Sequence, residues 1–480
     1  MSPDPFVHLH VASGYSLQYG ASHPQTLVER AVEQEMDTLA LTDRDGTYGA
    51  VKFTRACARA GIRPVLGVDP AVAPVGVQPL RGAAARTPVR GGAHRDLPAH
   101  RGGLPRVTFP ASGKAGWAAI CRMVSATHLT GERGRPVATL ESLAPYLMGG
   151  DVMVLLGPAS ELGVAAARRR HDLALAALAP WRDIVPRDNL VVELVSHRLP
   201  DSSAHAARMA QIARRAELTT VLTNAVRYAD RLDAPTVDVL DAARRLVALD
   251  RRHVDRGNAE GFLKSGKQMH EMAEEICRLS GLANNTEMAA RQLLAQTRAV
   301  ADRCALDPRA DLGIGEVHFP EFQLGGGDGG AGRTADGMLR ARCDAAVGDR
   351  HGSAPRQRIW KRLDDELELI RGLGYASYFL TVADITDLIG EMGIRRAARG
   401  SGAGSPVNYL LGVSGVDPIR HGLLMERFLS PLRASLPDID VDVESARRLE
   451  VYEAIPGQVR RGALCLRVDD GHLPRAPRGP

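Results

Sequence analysis

Apolar and polar positions follow two different periods along this chain. Over residues 6–70, short apolar runs alternate with amphipathic stretches, which predicts β-α-β-α-β. "FVHLHV", "DTLALT" and "RPVLGV" read as strands. "SHPQTLVERAVEQE" reads as a helix with Leu27, Val28, Ala31 and Val32 on one stripe, opened by Ser22 and Gln25 at capping-box spacing. "GAVKFTRACARAG" reads as a second helix. Residues 72–116, rich in Pro, Gly, Arg and Ala, read as a long loop. Order returns with "GWAAICRMVSATHL", and "DVMVLLG", "NLVVELV" and "LTTVLTNAV" are further strands separated by helical stretches. Strands alternating with helices imply a parallel sheet or barrel, whose chemistry gathers where strands end. This α/β region is expected to run over residues 1–285, followed by a helical connector with a Gly-rich linker over 286–333.

From residue 334 the pattern changes to helices. "IWKRLDDELELIRGLG" places Leu363, Leu367 and Ile370 on one face with Gly beyond its end, and "YFLTVADITDLIGEMG" is a second helical stretch. Then comes "LPDIDVDVE", residues 436–444, with Asp438, Asp440, Asp442 and Glu444 at every second position and Ile439, Val441 and Val443 between them. On a strand this puts four carboxylates on one face and the apolar residues against the core. Asp is disfavoured in strands, and adjacent like charges repel unless something positive sits among them. One reading is a solvated strand face. The other is a divalent-metal site, because Mg²⁺ takes oxygen ligands from one or two carboxylates and substrate phosphates. About 35 residues upstream, "RGSGAGS" spans Arg399 to Ser405 and leads into the helix "PVNYLLG". Taken alone it reads as a flexible linker or as a turn whose bare backbone and helix N–H groups receive a phosphate. Its spacing is not that of a P-loop and no Lys follows.

Composition narrows this only a little. The chain is 44% hydrophobic and 24% charged, ordinary for a globular protein, and five Lys leave nearly all basic charge to Arg. A net charge of +5 fits nucleic-acid binding without arguing it. Six Cys, with no CxxC, suggest neither a zinc knuckle nor a disulfide framework. No secretory signal and no run of 18 apolar residues is present, so the expected location is cytoplasmic and no membrane is expected as a partner.

A Gly-Ser turn opening a helix, followed by an Asp-x-Asp strand, resembles the polymerase-beta-like nucleotidyltransferase core. The wording is more specific. "ELIRGLGYASYFLTVADI", "RGSGAGSPVNYLLGVSGVDPIRHGLLMERFLSP" and "LPDIDVDVE" resemble the palm entrance of the bacterial DNA polymerase III alpha subunit. "FVHLH…YGASHPQTLVERAVE…LALTDRDGTYGAVKF…AGIRPVLGVD" resembles the PHP (polymerase and histidinol phosphatase) domain that precedes that palm. "YGASHPQTLVERA" leans towards the error-prone paralogue. The resemblance implies an α/β chain: an N-terminal PHP domain, a distorted β/α barrel, then an incomplete nucleotidyltransferase palm over 334–455. It implies Asp438 and Asp440 as catalytic carboxylates holding two Mg²⁺ ions. Gly400 and Ser401 would hold the triphosphate, with Arg399 nearby, and Asp442 and Glu444 would be neighbours on the same face. Implied partners are primer-template DNA, deoxynucleoside triphosphates and, through segments this chain lacks, a sliding clamp.

The PHP part departs from the metal-bearing pattern. Such members carry His-x-His on the first strand; here His10 matches the first and Ala12 stands in place of the second. The next acid is Tyr19, the His after "TD" is Arg44, and the late Asp-x-His is replaced by Ala225 and Arg227. His8, expected on the same strand face as His10, and Asp69 complete the remnants. Ala has no lone pair and Arg cannot ligate, so the expectation is no PHP-site metal and a structural role. The resemblance fades after 446–455, and residues 456–480 read as a disordered or frameshifted tail. The third catalytic carboxylate would lie beyond it, so polymerisation by this chain alone is not expected. Two other readings remain: a PHP-type phosphoesterase, or a non-catalytic module that binds DNA or a polymerase.

Overall fold

The computed structural model describes residues 6–76, 104–130, 136–250, 254, 256–281, 284–314, 334–351, 356–430 and 436–458. It divides into two compact units, Met1–Ile314 and Gly315–Pro480.

In the first unit the strands Thr38–Arg44 and Arg63–Asp69 pair in parallel, and so do Val154–Leu156, Leu190–Val195 and Thr219–Thr223. Two irregular segments join these sheets into a ring. The chain at 105–111 pairs antiparallel with Arg63–Asp69 and bridges to Leu155 and Val152. The N-terminal segment lies between Thr38–Arg44 and the continuation of Thr219–Thr223: Ala40 N donates to His8 O, Thr42 N to Val11 O, and Val226 N to His10 O. A closed ring leaves no edge strand to template aggregation. The result is the distorted β/α barrel that the PHP resemblance implies; the alternation of elements alone left a parallel sheet open.

Alternation within each strand divides the interior. Val7, Leu9, Ala40, Val65, Met153, Leu155, Val191 and Val221 form an apolar plug with Val300, Ala301 and Cys304 of the helix Thr286–Cys304. Two to four residues further along the strands, Arg44, Asp69, Gly157, Glu193 and Ala225 line a cavity of about 390 Å³. Polar residues thus occupy the C-terminal strand ends, where side chains escape the packed layers. Larger helices pack outside, around Leu27, Phe53, Ile120, Leu178 and Met209.

Three local expectations need correction. The helix Thr286–Cys304 is part of the first unit, not a connector. Ala290 and Leu293 join its core, Leu222 N donates to Thr297 Oγ1 at 2.9 Å, and Arg298 pairs with Asp37 at 2.7 Å. The loop over 72–116 ends early, since Phe109–Pro110 is a paired strand and a helix begins at Gly113. Residues 77–103 and the Gly-rich 325–332 lie outside the described residues. Finally, no capping box forms at Ser22. The helix is Pro24–Glu33 with His23 as N-cap, and the Ser22 hydroxyl accepts from the buried Ala229 N at 2.8 Å. Long-range backbone satisfaction wins over the local cap. Ser22→Ala is therefore expected to cost the first unit about 1–2 kcal/mol, read by chemical denaturation.

The second unit packs the helices Ala335–His351, Arg356–Leu373 and Ala376–Glu391 around Leu363, Ile370, Phe379, Leu380 and Phe428. Against this core lies a two-stranded antiparallel sheet, Arg396–Arg399 with Asp440–Val443. Among the described residues no helix is long and apolar enough to cross a membrane.

Candidate functional site

The carboxylate strand keeps the period-two pattern read from its sequence. Ile439 and Val441 pack against the helical core and Val443 against a small cluster with Ile389, Ile394 and Val451. Asp438 and Asp442 are exposed, and Asp440 and Glu444 half-buried. Arginines answer the repulsion among them. In the antiparallel register Asp440 stands opposite Arg399, and Arg399 reaches Asp442 Oδ1 at 3.1 Å and Asp440 Oδ2 at 3.7 Å. Arg395 lies 3.7 Å from Glu444. Cross-strand pairs of opposite charge stabilise a sheet modestly, and here they also gather three groups at one edge.

The turn after Arg399 brings the second motif to the same edge. Gly400 has φ +74°, a conformation that favours glycine, and a Cβ there would lie 3.4 Å from Asp440 Oδ2. Bare backbone therefore faces the Asp440 carboxylate. Gly400–Gly404 is a 3₁₀ turn with Ser401 exposed, running into the helix Pro406–Leu410. Arg399, Gly400 and Asp440 thus meet at one end of the small sheet, although they are about 40 residues apart in the chain, with Asp438 two residues before the strand and Ser401 next in the turn.

Three residues that hold this edge were not singled out from the sequence. Glu366 is fully buried, accepts from Ser405 Oγ at 2.5 Å and faces Val407 N at 3.4 Å. Burial raises its pKa to about 7. The signal was available: Glu366 sits on the stripe of Leu363, Leu367 and Ile370, an acid where the pattern demands an apolar residue. Asn408 donates to Gly402 O at 3.1 Å, while its own N–H bonds Ser405 Oγ. Tyr378 Oη donates to Pro437 O at 2.9 Å and accepts from Ile439 N at 3.2 Å, fixing the chain on both sides of Asp438.

The cavity in the first unit brings together some of the expected remnants. His10 Nδ1 lies 2.8 Å from Glu193 Oε1, and His10 Nε2 lies 4.0 Å from Asp69. Burial alone would lower the His10 pKa, but Glu193 and Asp69 outweigh it and raise it to about 9. His8 does not join them. Val7 and Leu9 take the interior positions of this irregular segment, and His8 turns away, fully buried, with Nε2 at 2.9 Å from Lys264 O. Glu193 was missed, although an acid inside the buried "NLVVELV" is itself a signal.

Guanidinium groups surround Asp69. Arg106 Nε bonds it at 3.1 Å, and Nη2 bonds Asp45 Oδ1 at 2.8 Å as well as the Asp69 carbonyl. Arg44 lies 3.4 Å from the same Asp69 oxygen and 3.2 Å from the centre of the Tyr19 ring. Arg227 lies 4.1 Å from that ring and pairs with Asp241 at 2.8 Å. Among the described residues no group of three or more His, Cys, Asp or Glu is arranged to hold a metal ion.

Comparison with known proteins agrees with both halves. The PHP domain family matches residues 8–197, and the bacterial DNA polymerase III alpha NTPase domain family matches residues 337–458. The chain is 33% identical over 463 residues to an error-prone DNA polymerase of Mycobacterium bovis, covering 94% of this chain and 38% of that protein. It is 32% identical to the Cutibacterium acnes error-prone DNA polymerase, with 94% and 36% covered. It is 28% identical to a DNA polymerase III subunit alpha of Saccharopolyspora erythraea, with 94% and 37% covered. The chain thus spans well under half the length of these curated relatives. Among solved structures, an amidohydrolase from Chromobacterium violaceum is similar at 16% identity over 46% of this chain and 87% of that one, with a TM-score of 0.29, too loose a likeness to argue from. Both families are matched in order and similarity runs along 94% of the chain, so its first part is similar to PHP domains, its second to the NTPase domain of the bacterial DNA polymerase III alpha subunit, and the whole to the front part of error-prone DNA polymerases and of a DNA polymerase III subunit alpha.

Proposed function

We propose that this chain supplies the metal- and nucleotide-holding edge of a DNA polymerase palm, serving template-directed deoxynucleotidyl transfer in replication or translesion repair. The observation that carries the reading is the meeting of Asp440 with Arg399 and the bare Gly400 backbone, with Asp438 two residues before Asp440 in the chain. Two hard carboxylates beside a turn that a Cβ would fill suit Mg²⁺ and a triphosphate together. Asp438 and Asp440 would hold two Mg²⁺ ions, which when bound supply charge stabilisation at the attacking and leaving oxygens. The chain's own residues do the positioning. Gly400 and Ser401 receive phosphate oxygens, and Arg399 offers its guanidinium while keeping Asp440 and Asp442 apart. Tyr378 and Glu366 fix the two segments that carry these groups. Primer-template DNA and deoxynucleotides are the partners, with a sliding clamp reached through other parts of the polymerase, and the location is cytoplasmic. Titration of the 480-residue chain with dATP tests the reading: Mg²⁺-dependent binding is expected, and binding of equal strength in EDTA contradicts it.

For the first unit we infer a structural role without a bound catalytic metal. Glu193 and Asp69 raise the His10 pKa to about 9 and favour its charged form, its Nδ1 is already bonded to Glu193, and Asp69 is shared among Arg106, Arg44 and His10. A cation entering there would meet three resident positive charges. Metal analysis of the purified chain is expected to find no stoichiometric zinc or manganese. Stoichiometric metal lost on His10→Ala would overturn this and restore the phosphoesterase reading.

A further inference from the structure

The cavity at the strand ends of the first unit has a charge pattern that a purely structural role does not need. Five guanidiniums line it, from Arg44, Arg106, Arg227, Arg244 and Arg256, against two carboxylates, Asp69 and Glu193. The carboxylates are shared: Asp69 faces Arg106, Arg44 and His10, and Asp241, behind the lining, pairs with both Arg227 and Arg244 at 2.8 Å. Glu193 is taken by His10 and by Thr223 Oγ1. Arg256 is paired with Asp238 and Arg106 also with Asp45, so the one surplus charge falls on Arg44. Among the described residues its ion pair is with the shared Asp69, its buried Nε makes no hydrogen bond, and its guanidinium stacks on Tyr19 beside Arg227. Burial, with repulsion from Arg106 and Arg227, lowers its pKa to about 10. Burial would raise the Tyr19 pKa, yet Arg44 and Arg227 lower it. Both directions register the same positive field. An apolar part of the wall is formed by Leu104, Pro158, Val164 and Leu199.

We propose that this cavity is a metal-independent anion site that holds a small phosphate monoester, its dianionic head on Arg44 and Arg227 and its organic part against the apolar wall. Guanidinium forks match phosphate oxygens and strengthen out of water. A cavity of about 390 Å³ is within the range that encloses a small ligand. The site binds and releases its ligand unchanged. The inference rests on the reading that no metal occupies this end of the barrel, and measuring metal content on the same sample separates failure of the one from failure of the other.

The test is titration of the 480-residue chain with phenyl phosphate in EDTA, read by calorimetry and ³¹P NMR, with inorganic phosphate and phenol as the head and tail probes. Phenyl phosphate is expected to bind with one-to-one stoichiometry and more tightly than inorganic phosphate, with phenol not competing. Arg44→Gln should weaken it about tenfold, and Arg371→Gln, at an exposed arginine of the second unit that faces Glu368, should leave it unchanged. Should Arg44→Gln disturb folding, salt dependence of the native chain serves instead, with affinity falling steeply between low and high NaCl. No binding in EDTA, binding only after zinc or manganese is added, release of phosphate from the ester, or equal affinity in well-folded Arg44→Gln would each overturn the proposal.

Discussion

Asp440→Asn is expected to weaken binding of a Mn²⁺–dATP complex to this chain by about two orders of magnitude, while Asp442→Asn changes it by less than about threefold. Losing an outer partner of a metal site typically costs 10–100-fold, and losing a direct ligand reaches at least the upper end of that range. The two substitutions are nearly matched in every other respect. Both residues lie on the outward face of Asp440–Val443, and both contact Arg399, Asp442 at the shorter distance of 3.1 Å. If the strand were merely a solvated face with charges balanced by Arg399, Asp442→Asn would matter as much or more. The Gly400 turn sets Asp440 apart, because its backbone faces Asp440 and not Asp442, and Asp440 is also the more buried of the two. Calorimetric titration of the two variants decides between the readings, and equal effects would remove Asp440 from the proposed ligand set.

The second large effect concerns the buried acid beneath the turn. Glu366 has a folded-state pKa of about 7 against an ordinary value of 4.5. Below pH 4.5 both folded and unfolded states hold the proton and the group contributes no pH dependence. Between 4.5 and about 7 the unfolded chain releases the proton first, so stability of the second unit falls as pH rises, by about 3 kcal/mol once the folded-state carboxyl has also ionised. Glu366→Gln keeps the shape and an acceptor for Ser405 Oγ but cannot ionise. It should abolish the decline and leave the unit more stable than the native chain by about 2–3 kcal/mol above pH 7. Hydrogen exchange in the helix Arg356–Leu373 at pH values from 5 to 8, corrected for intrinsic exchange, reads this locally. A native chain with no decline across that window would show that Glu366 ionises normally.

How far the sequence carried these conclusions depended on the kind of interaction. Periods of two and 3.6 are local, so the barrel strands, the helices and the outward face of Asp438, Asp440, Asp442 and Glu444 were legible directly. Juxtaposition of Arg399 and Gly400 with Asp440 was suggested by wording shared with a known family, and the antiparallel register of the two strands supplies its geometry. Long-range pairing was not legible. Ser22 reads as a helix cap, but its hydroxyl accepts from Ala229, about 200 residues away. His8 reads as a partner of His10, but Val7 and Leu9 claim the interior positions and reverse its direction. The helix Thr286–Cys304 reads as a connector because it is polar, and its fit into the barrel end depends on strands far upstream. Arg106 could not have been found at all, since it lies in a stretch without periodicity and acts through Asp45 and Asp69.

The central claim, that Asp438 and Asp440 with the Gly400–Ser401 turn form one metal–nucleotide site, is tested most directly by pulsed electron paramagnetic resonance of the 480-residue chain with Mn²⁺ and dATP. The account predicts protein-bound Mn²⁺ coupled to ³¹P of the triphosphate in the native chain, and loss of that bound signal in the Asp438→Asn, Asp440→Asn double variant. An undiminished ³¹P coupling in the double variant, or a native chain that shows only the free Mn²⁺–dATP complex, would contradict it.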